Sequence, residues 1–274
     1  MSQKQAAIFN DLSGFGRCSI SVILPILSAM GHQGVAIPTA VLSMHTEFPH
    51  YQMTDLSANL PAYLESYHQE GLRFDALCTG FLSDPAQAKI ARSCLRLLKE
   101  DALVLVDPVL GDGGRPYPTI TAEIIQEMRM LADDAGVLLP NLTELCLLCG
   151  KPYPDAFPSR EFLISCCESL CARGTQRVVV SGLEADGRCC SFIYADKTGM
   201  EVWNEKVGEG RPGSGDVFAA VIAGCLLRGE SLRDSVEQAA HFVERAMRRT
   251  LQENTPHAWG LCFEPLLGEL IPER

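Results

Sequence analysis

The sequence predicts an α/β protein built on a mostly parallel sheet with an antiparallel edge. Short, continuously apolar runs such as residues 102–106 alternate with amphipathic helical runs for most of the 274 residues. Apolar strands separated by helices are typical of a parallel sheet covered on both faces. The alternation then stops, because 188–195 and 201–207 are consecutive β-type runs joined by the polar, Gly-containing segment 196–199. These two runs predict the antiparallel edge.

Each element is assigned from its hydrophobic period and from the residues that flank it. The predicted strands lie at 6–10, 35–42, 76–80, 102–106, 137–140 and 177–181, followed by the edge pair. The predicted helices lie at 19–30, 56–69, 85–99, 121–133, 143–148, 159–173, 215–227 and 232–251. Gly229 is expected to end one of the last two helices, and Ser231 to cap the other. Since no repeat or linker interrupts this order, residues 1–274 are predicted to form a single domain.

The composition is that of a folded globular chain and excludes several functional classes. Apolar residues make up 47% of the chain and charged residues 21%, which supports a sizeable core and excludes disorder. The 23 Lys and Arg against 34 Asp and Glu give a net charge of −11, with no basic run. We therefore expect no nucleic-acid or anionic-membrane partner, because binding to either depends on a positive field. Any phosphate ligand must be held by local groups.

The apolar stretches predict no membrane span and no export signal. The longest, such as 102–106 and 137–139, fall far short of the ~18 residues that cross a bilayer. Near the N-terminus the apolar run 6–9 is too short for a signal peptide and lacks a small-residue cleavage site. We therefore expect a cytoplasmic protein.

Twelve cysteines are scattered through the predicted strands and helices. This distribution favours reduced thiols over a disulfide framework. Cys146 and Cys149 form a C-x-x-C pair, but no second Cys or His pair follows at zinc-finger spacing. A structural zinc site is therefore disfavoured.

A glycine-rich turn directly before an apolar helix carries the strongest chemical signal. Gly213, Ser214 and Gly215 place backbone N–H groups at a helix N-terminus, where the helix dipole favours an anion. Asp216 follows in the first helical turn and could accept a substrate hydroxyl proton, or it could only complement the dipole. Serine stands where a Walker loop needs Lys, and Pro212 replaces the first glycine of a hydrolase elbow. The turn therefore predicts an anion hole of another kind.

Carboxylates follow two further predicted strands. Asp107 and Asp112 leave the strand 102–106 with a Gly-rich turn, at the end of the sheet where α/β proteins bind ligands. Asn141 and Glu144 follow the strand 137–140 and suit either a Mg²⁺ site or a helix-capping box. A solvated Pro/Gly turn is the alternative for the first pair. Taken with the glycine turn, these carboxylates at the strand ends favour a site for a cation and a polyphosphate.

Two other segments offer polar groups to a small substrate. Asp11 and Ser13 lie in a glycine-containing turn after the first strand, where the third glycine of a dinucleotide fingerprint is replaced by Ser19. An NAD site is therefore a weak interpretation, and a tight βα turn is the structural alternative. His45 and Thr46 lie in a longer loop with aromatic neighbours suited to a ring, although a lone loop His is more often solvated.

These motifs together resemble the ribokinase-like superfamily, and more closely its pyridoxal/pyridoxamine kinase branch, over nearly the whole chain. Residues 213–216 look like the superfamily G-[TS]-G-D signature, and 107–112 is similar to the B6-kinase D-P-V-M-G-D segment with Leu110 in place of Met. Residues 141–144 look like its N-x-x-E magnesium motif, and 43–46 occupies the place of its substrate loop. The opening 10–16 looks nearer to bacterial pyridoxamine-kinase and hydroxymethylpyrimidine-kinase forms.

The resemblance implies a three-layer α/β/α kinase that phosphorylates the 5′-hydroxymethyl group of pyridoxamine, pyridoxal or pyridoxine with ATP. It implies Mg²⁺, a monovalent cation as a further candidate, and a homodimer. A hydroxymethylpyrimidine kinase and a non-catalytic nucleotide-binding homologue remain alternatives. The residue roles that it implies are: Asp216 as catalytic base; Gly213, Ser214 and Gly215 as anion hole; Asp107 and Glu144 at the metal; Asp112, Asn141 and Ser181 at the ATP phosphates; Asp11, Ser13, His45, Thr46, Phe81 and Asp216 at the substrate. Phe81 stands where relatives often carry Tyr.

Overall fold

Strands and helices alternate along residues 3–272, the part of the chain that the computed structural model describes. The strands are β1 (Gln5–Phe15), β2 (Gln33–Met44), β3 (Met53–Asp55), β4 (Phe74–Thr79), β5 (Leu98–Val106), β6 (Gly111–Asp112), β7 (Arg115–Pro116), β8 (Val137–Leu138), β9 (Val178–Ala185), β10 (Arg188–Ala195) and β11 (Thr198–Glu205). The α-helices are α1 (Ile20–Ala29), α2 (Leu60–Gln69), α3 (Pro85–Ser93), α4 (Ala122–Asp133), α5 (Leu142–Cys149), α6 (Arg160–Cys171), α7 (Ser214–Leu227) and α8 (Leu232–Gln252). Short 3-10 helices lie at Cys94–Leu97, His257–Trp259 and Glu264–Leu270.

Nine strands form one sheet in the order β11-β10-β9-β8-β5-β4-β1-β2-β3, and β6 and β7 form a separate hairpin. β1 pairs with β2 in parallel, as do β5 with β8 and β8 with β9. β9, β10 and β11 pair antiparallel, as predicted, and β3 adds a second antiparallel edge beside β2. The predicted α/β fold class, with a mostly parallel sheet and an antiparallel edge, is confirmed.

Several predicted bounds were wrong. β1 continues to Phe15 rather than ending at Asn10, with a register shift between Asn10 and Leu12 in its pairing with β2. The predicted helix 85–99 ends at Ser93, and its last residues belong to a 3-10 turn and to β5. The three-residue β3 and the two-residue strands β6 and β7 were not predicted, since runs this short carry no periodic signal.

The chain divides into two compact units. The first comprises the residues up to Cys78, Cys94–Leu103 and the residues from Val207 onward, and so contains β1–β3, α1, α2, α7 and α8. The second comprises Thr79–Ser93 and Val104–Lys206, and contains α3–α6 and β6–β11. The single domain expected from the sequence stays a prediction.

In the first unit, helix α7 is buried around nearly its whole circumference. Nine successive residues, 217–225, are buried, in accord with their unbroken apolar sequence. At Gly224 a β-carbon would lie 2.2 Å from the sulfur of Met30, so α7 packs closely against the end of α1. Ser231 caps α8 by accepting a hydrogen bond from the Asp234 N–H, as predicted.

In the second unit, helix α5 has defined stops at both ends. Asn141 and Glu144 form a complete capping box at its N-terminus, and Gly150 ends it with a φ of 65°. The helix buries Leu142, Leu145 and Leu148, among others, so its start is fixed by packing as well as by the cap.

All twelve cysteines are free thiols, nine of them buried. Cys146 is buried and Cys149 is half-buried. Among residues 3–272 no group of three or more His, Cys, Asp or Glu side chains is arranged to hold a metal ion. None of the helices between these residues is long and apolar enough to cross a membrane.

Candidate active site

In the first unit, the Asp216 carboxylate is held between the first turn of α7, strand β1 and the start of α1. Its Oδ2 accepts a hydrogen bond from the backbone N–H of Ser19 at 2.8 Å. Its Oδ1 accepts a longer one, 3.3 Å, from the Asn10 side-chain amide. One carboxylate oxygen is therefore firmly anchored, and the other is held more loosely.

The surroundings of Asp216 make it a stronger base than an ordinary aspartate. Burial raises its pKa, and the nearby Asp11 raises it further, while the hydrogen bonds from Ser19 and Asn10 lower it; the result is a pKa of about 7. A carboxylate that titrates near neutral pH is well matched to take a proton from an alcohol under physiological conditions.

Asp11 and Ser13, predicted to contact substrate, lie in the bulged part of β1 and are both buried. The Asp11 carboxylate accepts hydrogen bonds from the hydroxyl groups of Ser13, at 2.9 Å, and Ser19, at 2.5 Å. Burial raises the pKa of Asp11, although the two hydroxyl groups oppose the rise. These three residues form a buried polar network next to Asp216.

The glycine-rich turn is locked by backbone packing. Gly213 has a φ of 77°, and a β-carbon there would lie 1.8 Å from the carbonyl oxygen of Arg17, so only glycine fits. The first helical hydrogen bond of α7 runs from the Val217 N–H to the Gly213 carbonyl. The Ser214 N–H donates to the Arg211 carbonyl at 3.2 Å, so this predicted anion-hole amide already has a long hydrogen bond. Gly215 lies exposed at the helix N-terminus, where amides are available to an anion.

His45 is buried, and the protein already uses both of its ring nitrogens. Nε2 lies 2.6 Å from the Ala258 carbonyl and must therefore carry the proton, because a carbonyl only accepts. Nδ1 accepts the Glu47 N–H at 3.4 Å. The ring packs on Phe48 with a centroid separation of 4.7 Å. The protein thus presents the His45 ring rather than a free nitrogen, whereas the neighbouring Thr46 is exposed.

An aromatic cluster borders this loop. The Phe15 ring contacts Phe48 and Trp259 edge to face, at 5.6 and 5.4 Å between centroids. Phe15 and Trp259, with Arg17 among others, line a cavity of about 370 Å³ in the first unit. The cavity is large enough for a single heteroaromatic ring.

In the second unit, Glu144 is buried at the start of α5, and both of its carboxylate oxygens accept backbone hydrogen bonds. Oε1 accepts the Leu110 N–H at 3.1 Å, and Oε2 accepts the Asn141 N–H at 2.8 Å. The Asn141 side chain accepts the Glu144 N–H at 2.9 Å and donates to the Gly111 carbonyl at 2.8 Å. The capping box that the sequence offered as an alternative is therefore present, and it ties α5 to the segment around β6.

The other predicted residues of this unit lie at or near strand ends. Asp107 follows β5 and is half-buried, and Asp112 is exposed in β6, where its Oδ1 accepts the Gly113 N–H at 2.7 Å. Ser181 forms an isolated parallel bridge with Asn141, which joins two of the predicted phosphate contacts. Phe81 is half-buried just after β4.

The donor chemistry of this unit fits Mg²⁺, which prefers carboxylate oxygens and usually keeps several waters. Burial raises the pKa of Glu144 to about 8. Repulsion from Asp112 adds to this rise, whereas the backbone hydrogen bonds to the carboxylate lower the pKa. A bound cation would stabilise the ionised form of such a carboxylate. Because both Glu144 oxygens already accept backbone hydrogen bonds, from Leu110 and Asn141, contact through a water molecule suits this residue better than direct ligation.

Sequence reasoning did not identify Asn10, Ser19 or Ala258 as site residues. Asn10 and Ser19 contact Asp216 across about 200 residues of chain, so no local pattern could have shown the contacts. The one available signal was serine at the third position of an otherwise glycine-rich turn, where a backbone with positive φ would be expected.

Comparison with known proteins gives a consistent family assignment. The family described as phosphomethylpyrimidine kinase matches residues 24–259 of this chain. Pyridoxal kinase PdxY from Burkholderia lata is 28% identical over 254 residues, which cover 86% of this chain and 85% of that protein.

Two solved structures share the fold over nearly their full length. A Bacteroides thetaiotaomicron protein provisionally described as a phosphomethylpyrimidine kinase has a TM-score of 0.96 and 34% identity, covering 100% of this chain and 96% of its own. An orthorhombic form of that protein was crystallised with pyridoxal. Pyridoxal kinase from Lactobacillus plantarum has a TM-score of 0.90 and 30% identity, covering 98% and 96%. The resemblance to B6 kinases indicated by the motifs is confirmed, and the match over residues 24–259 shows that the chain belongs to the phosphomethylpyrimidine kinase family.

Proposed function

We propose that this protein phosphorylates the 5′-hydroxymethyl group of pyridoxal, pyridoxamine or pyridoxine with ATP, as a vitamin-B6 kinase. The observation that carries the proposal is the Asp216 carboxylate, which has a pKa of about 7 and lies in the first turn of α7 directly after the glycine turn. The similarity to pyridoxal kinases over most of the chain supports this substrate class.

In the proposed reaction, the alcohol oxygen of the vitamer attacks the γ-phosphorus of ATP as the bond to the ADP oxygen breaks. ADP leaves with the electron pair of that bond, and the hydroxyl proton passes to Asp216. Because its Oδ2 is anchored by the Ser19 N–H, the more loosely held Oδ1 is the proposed acceptor. Backbone amides at 213–215 stabilise charge on the transferred group, in a reaction that depends mainly on positioning and electrostatics.

The remaining first-unit residues are proposed to shape the substrate site. Asp11 and Ser13 belong to the polar network that surrounds the base, and the ring of His45 lies among aromatic side chains. The exposed Thr46 has a hydroxyl group available for a polar contact. Among the second-unit residues, Phe81 is proposed as an apolar substrate contact.

The second unit is proposed to supply the cation and phosphate contacts. Asp107 and Glu144 would hold Mg²⁺, which when bound neutralises phosphate charge, and a monovalent cation is a further candidate cofactor. Asp112, Asn141 and Ser181 are proposed to contact the ATP phosphates. The bridge between Asn141 and Ser181 supports a shared role for these two residues.

We propose that residues 1–274 act as one kinase domain, that the protein is a homodimer and that it works in the cytoplasm. The family resemblance supports the first two, and the twelve free thiols support the third.

The second candidate is a hydroxymethylpyrimidine kinase of thiamine synthesis, which the description of the matching family favours. A coupled ADP-release assay on purified protein, with pyridoxal, pyridoxamine, pyridoxine and hydroxymethylpyrimidine compared at equal concentrations, separates the two. We expect the highest kcat/KM with a B6 vitamer. A clear preference for hydroxymethylpyrimidine would replace the proposal, and ATP binding without substrate-dependent ADP release would indicate a non-catalytic homologue.

A further inference from the structure

Ser19 has a backbone conformation that non-glycine residues rarely adopt. Its φ is 56° and its ψ is −140°, in a region used almost only by glycine. The residue is the N-cap of α1, where residues normally have extended φ and ψ and a side chain that accepts a helix N–H. The Ser19 hydroxyl makes no such cap hydrogen bond. The Ser19 side chain therefore does not cap the helix, and its backbone conformation is not the usual one for this position.

The backbone N–H and the hydroxyl of Ser19 are both directed at carboxylates. The backbone N–H donates to Asp216 Oδ2 at 2.8 Å, and the hydroxyl donates to Asp11 Oδ1 at 2.5 Å. The Ser19 carbonyl still accepts the Val22 and Ile23 N–H groups, at 3.0 and 3.1 Å, so the residue is also fixed to α1. Ser19 thus connects the proposed base, a second buried acid and the first turn of α1.

We propose that Ser19 is a positioning residue for phosphoryl transfer: its hydroxyl bond to Asp11 holds a strained backbone that directs the Ser19 N–H to Asp216. This inference deepens the proposed function and rests on Asp216 being the base. The anchored Oδ2 leaves Oδ1 as the oxygen that receives the alcohol proton. Without the tether, the backbone would relax toward an ordinary conformation and the N–H would turn away from the carboxylate.

The strain explains why a glycine would serve here better than an alanine. Glycine adopts this φ and ψ without a steric penalty, so it keeps the N–H directed at Asp216 even without a hydroxyl. Alanine loses the hydroxyl and keeps the β-carbon that makes the conformation unfavourable. At an ordinary N-cap, replacing Ser by Gly or by Ala would only remove a cap. The catalytic rate would then not be higher for the Gly variant than for the Ala variant.

The charged and titratable groups near Asp216 are few. Asp11 of β1 raises its pKa, and Cys18, whose own pKa burial raises to about 12, precedes Ser19. The charge of a protonated His45, in the neighbouring loop, lowers the pKa of Asp11. Loss of the Ser19 hydrogen bond should raise the pKa of Asp216, because that bond stabilises its ionised form.

The test compares Ser19→Ala and Ser19→Gly for kcat, for KM of ATP and for the pH profile. Ser19→Ala should lower kcat roughly tenfold to a hundredfold, the usual effect of losing a hydrogen bond to a charged group, with KM for ATP little changed. The acid limb of the kcat–pH profile of Ser19→Ala should move to higher pH. Ser19→Gly should recover most of the lost kcat and keep the acid limb at the wild-type pH. Ser28→Ala is the matched control, since it removes an exposed hydroxyl near the other end of α1, and should stay within about twofold of wild type.

A ¹³C-carboxyl NMR titration of Asp216, assigned with Asp216→Asn, provides a second measurement that needs no turnover. The Asp216 signal should titrate at higher pH in Ser19→Ala than in wild type, and near the wild-type pH in Ser19→Gly. Equal titrations in all three proteins, or a Gly variant as impaired as the Ala variant, would overturn the positioning role. If wild type phosphorylates no vitamer, the proposed function fails, while the NMR comparison still decides the role of Ser19.

Discussion

Asp11 is buried beside the half-buried Asp216, and its charge opposes the ionisation of Asp216. Burial raises the pKa of both, and the charge of Asp11 adds to the rise at Asp216. The hydroxyl groups of Ser13 and Ser19 favour the ionised form of Asp11 against the effect of its burial, whereas the pKa of Asp216 rises to about 7. This difference in surroundings gives the two carboxylates different roles, with Asp216 as the proton acceptor.

Asp216→Asn is expected to lower kcat by roughly 10²–10⁴-fold, the range for loss of a general base, with little change in KM for ATP. The base must be ionised, so wild-type kcat should fall as the pH drops below about 7, and the residual rate of the variant should lack this limb. Initial rates between pH 5.5 and 9 measure both effects. Near-normal turnover in the variant would contradict the assignment.

The stability of the same variant separates lost chemistry from lost folding. Because the folded pKa of Asp216 lies above the ~3.9 of an exposed aspartate, the cost of ionising it in the fold grows as the pH rises from about 4 to 7. The Asn variant should therefore unfold at a higher temperature than wild type at pH 8, and the difference should shrink toward pH 4. A variant less stable than wild type at pH 8 would show that its folding is damaged.

At the scale of elements, the N-terminus of α7 is the point where backbone packing defines the proposed anion site. Gly213 lies against the Arg17 carbonyl, and Gly260 of the C-terminal segment also approaches it, with its ideal β-carbon position 2.8 Å away. Arg211 donates to the carbonyls of Thr255 and Pro256, at 3.1 and 3.0 Å. The turn is thus held by contacts with main-chain carbonyls, which sequence motifs do not display.

Gly213→Ala should reduce both activity and stability. Its β-carbon would overlap the Arg17 carbonyl oxygen, at 1.8 Å, and the φ of 77° is unfavourable for alanine. We expect a loss of about 2 kcal/mol or more in the free energy of unfolding, together with a fall in kcat. Gly210→Ala in the same turn is the control, because its β-carbon would meet no atom within 4 Å. Urea unfolding and initial rates compare the two, and equal effects would contradict the packing argument.

Two element boundaries show where local patterns were insufficient. β1 continues beyond Asn10 because the bulge between Asn10 and Leu12 lets a polar segment stay paired with β2. β5 begins at Leu98 although its next residues, 99–101, are charged and exposed. Such a sequence also suits the end of a helix, and only pairing within the sheet determines that it is a strand.

At the scale of the whole molecule, the thiols give a test of the proposed cytoplasmic location. Nine of the twelve cysteines are buried, and Cys149, Cys171 and Cys189 are half-buried. In the native protein, Ellman's reagent should therefore modify at most these three thiols quickly, and in denaturant it should modify all twelve. If fewer thiols reacted in denaturant and a reductant restored the full number, the protein would contain disulfides. That result would contradict a location in a reducing compartment.

The order of strands and helices, the antiparallel edge and the Gly-Ser-Gly-Asp turn could be predicted because each depends on hydrophobic period or on neighbours within a few residues. The capping box of Asn141 and Glu144 could be predicted for the same reason, although only the structure shows that the second Glu144 oxygen accepts the Leu110 N–H. The contacts of Asp216 with Asn10 and Ser19 join residues 206 and 197 positions apart. By itself the sequence therefore determined which elements form and which residue types reach their ends. Tertiary structure alone decided which side chains meet there, because such contacts depend on chain closure over long separations that leave no local pattern.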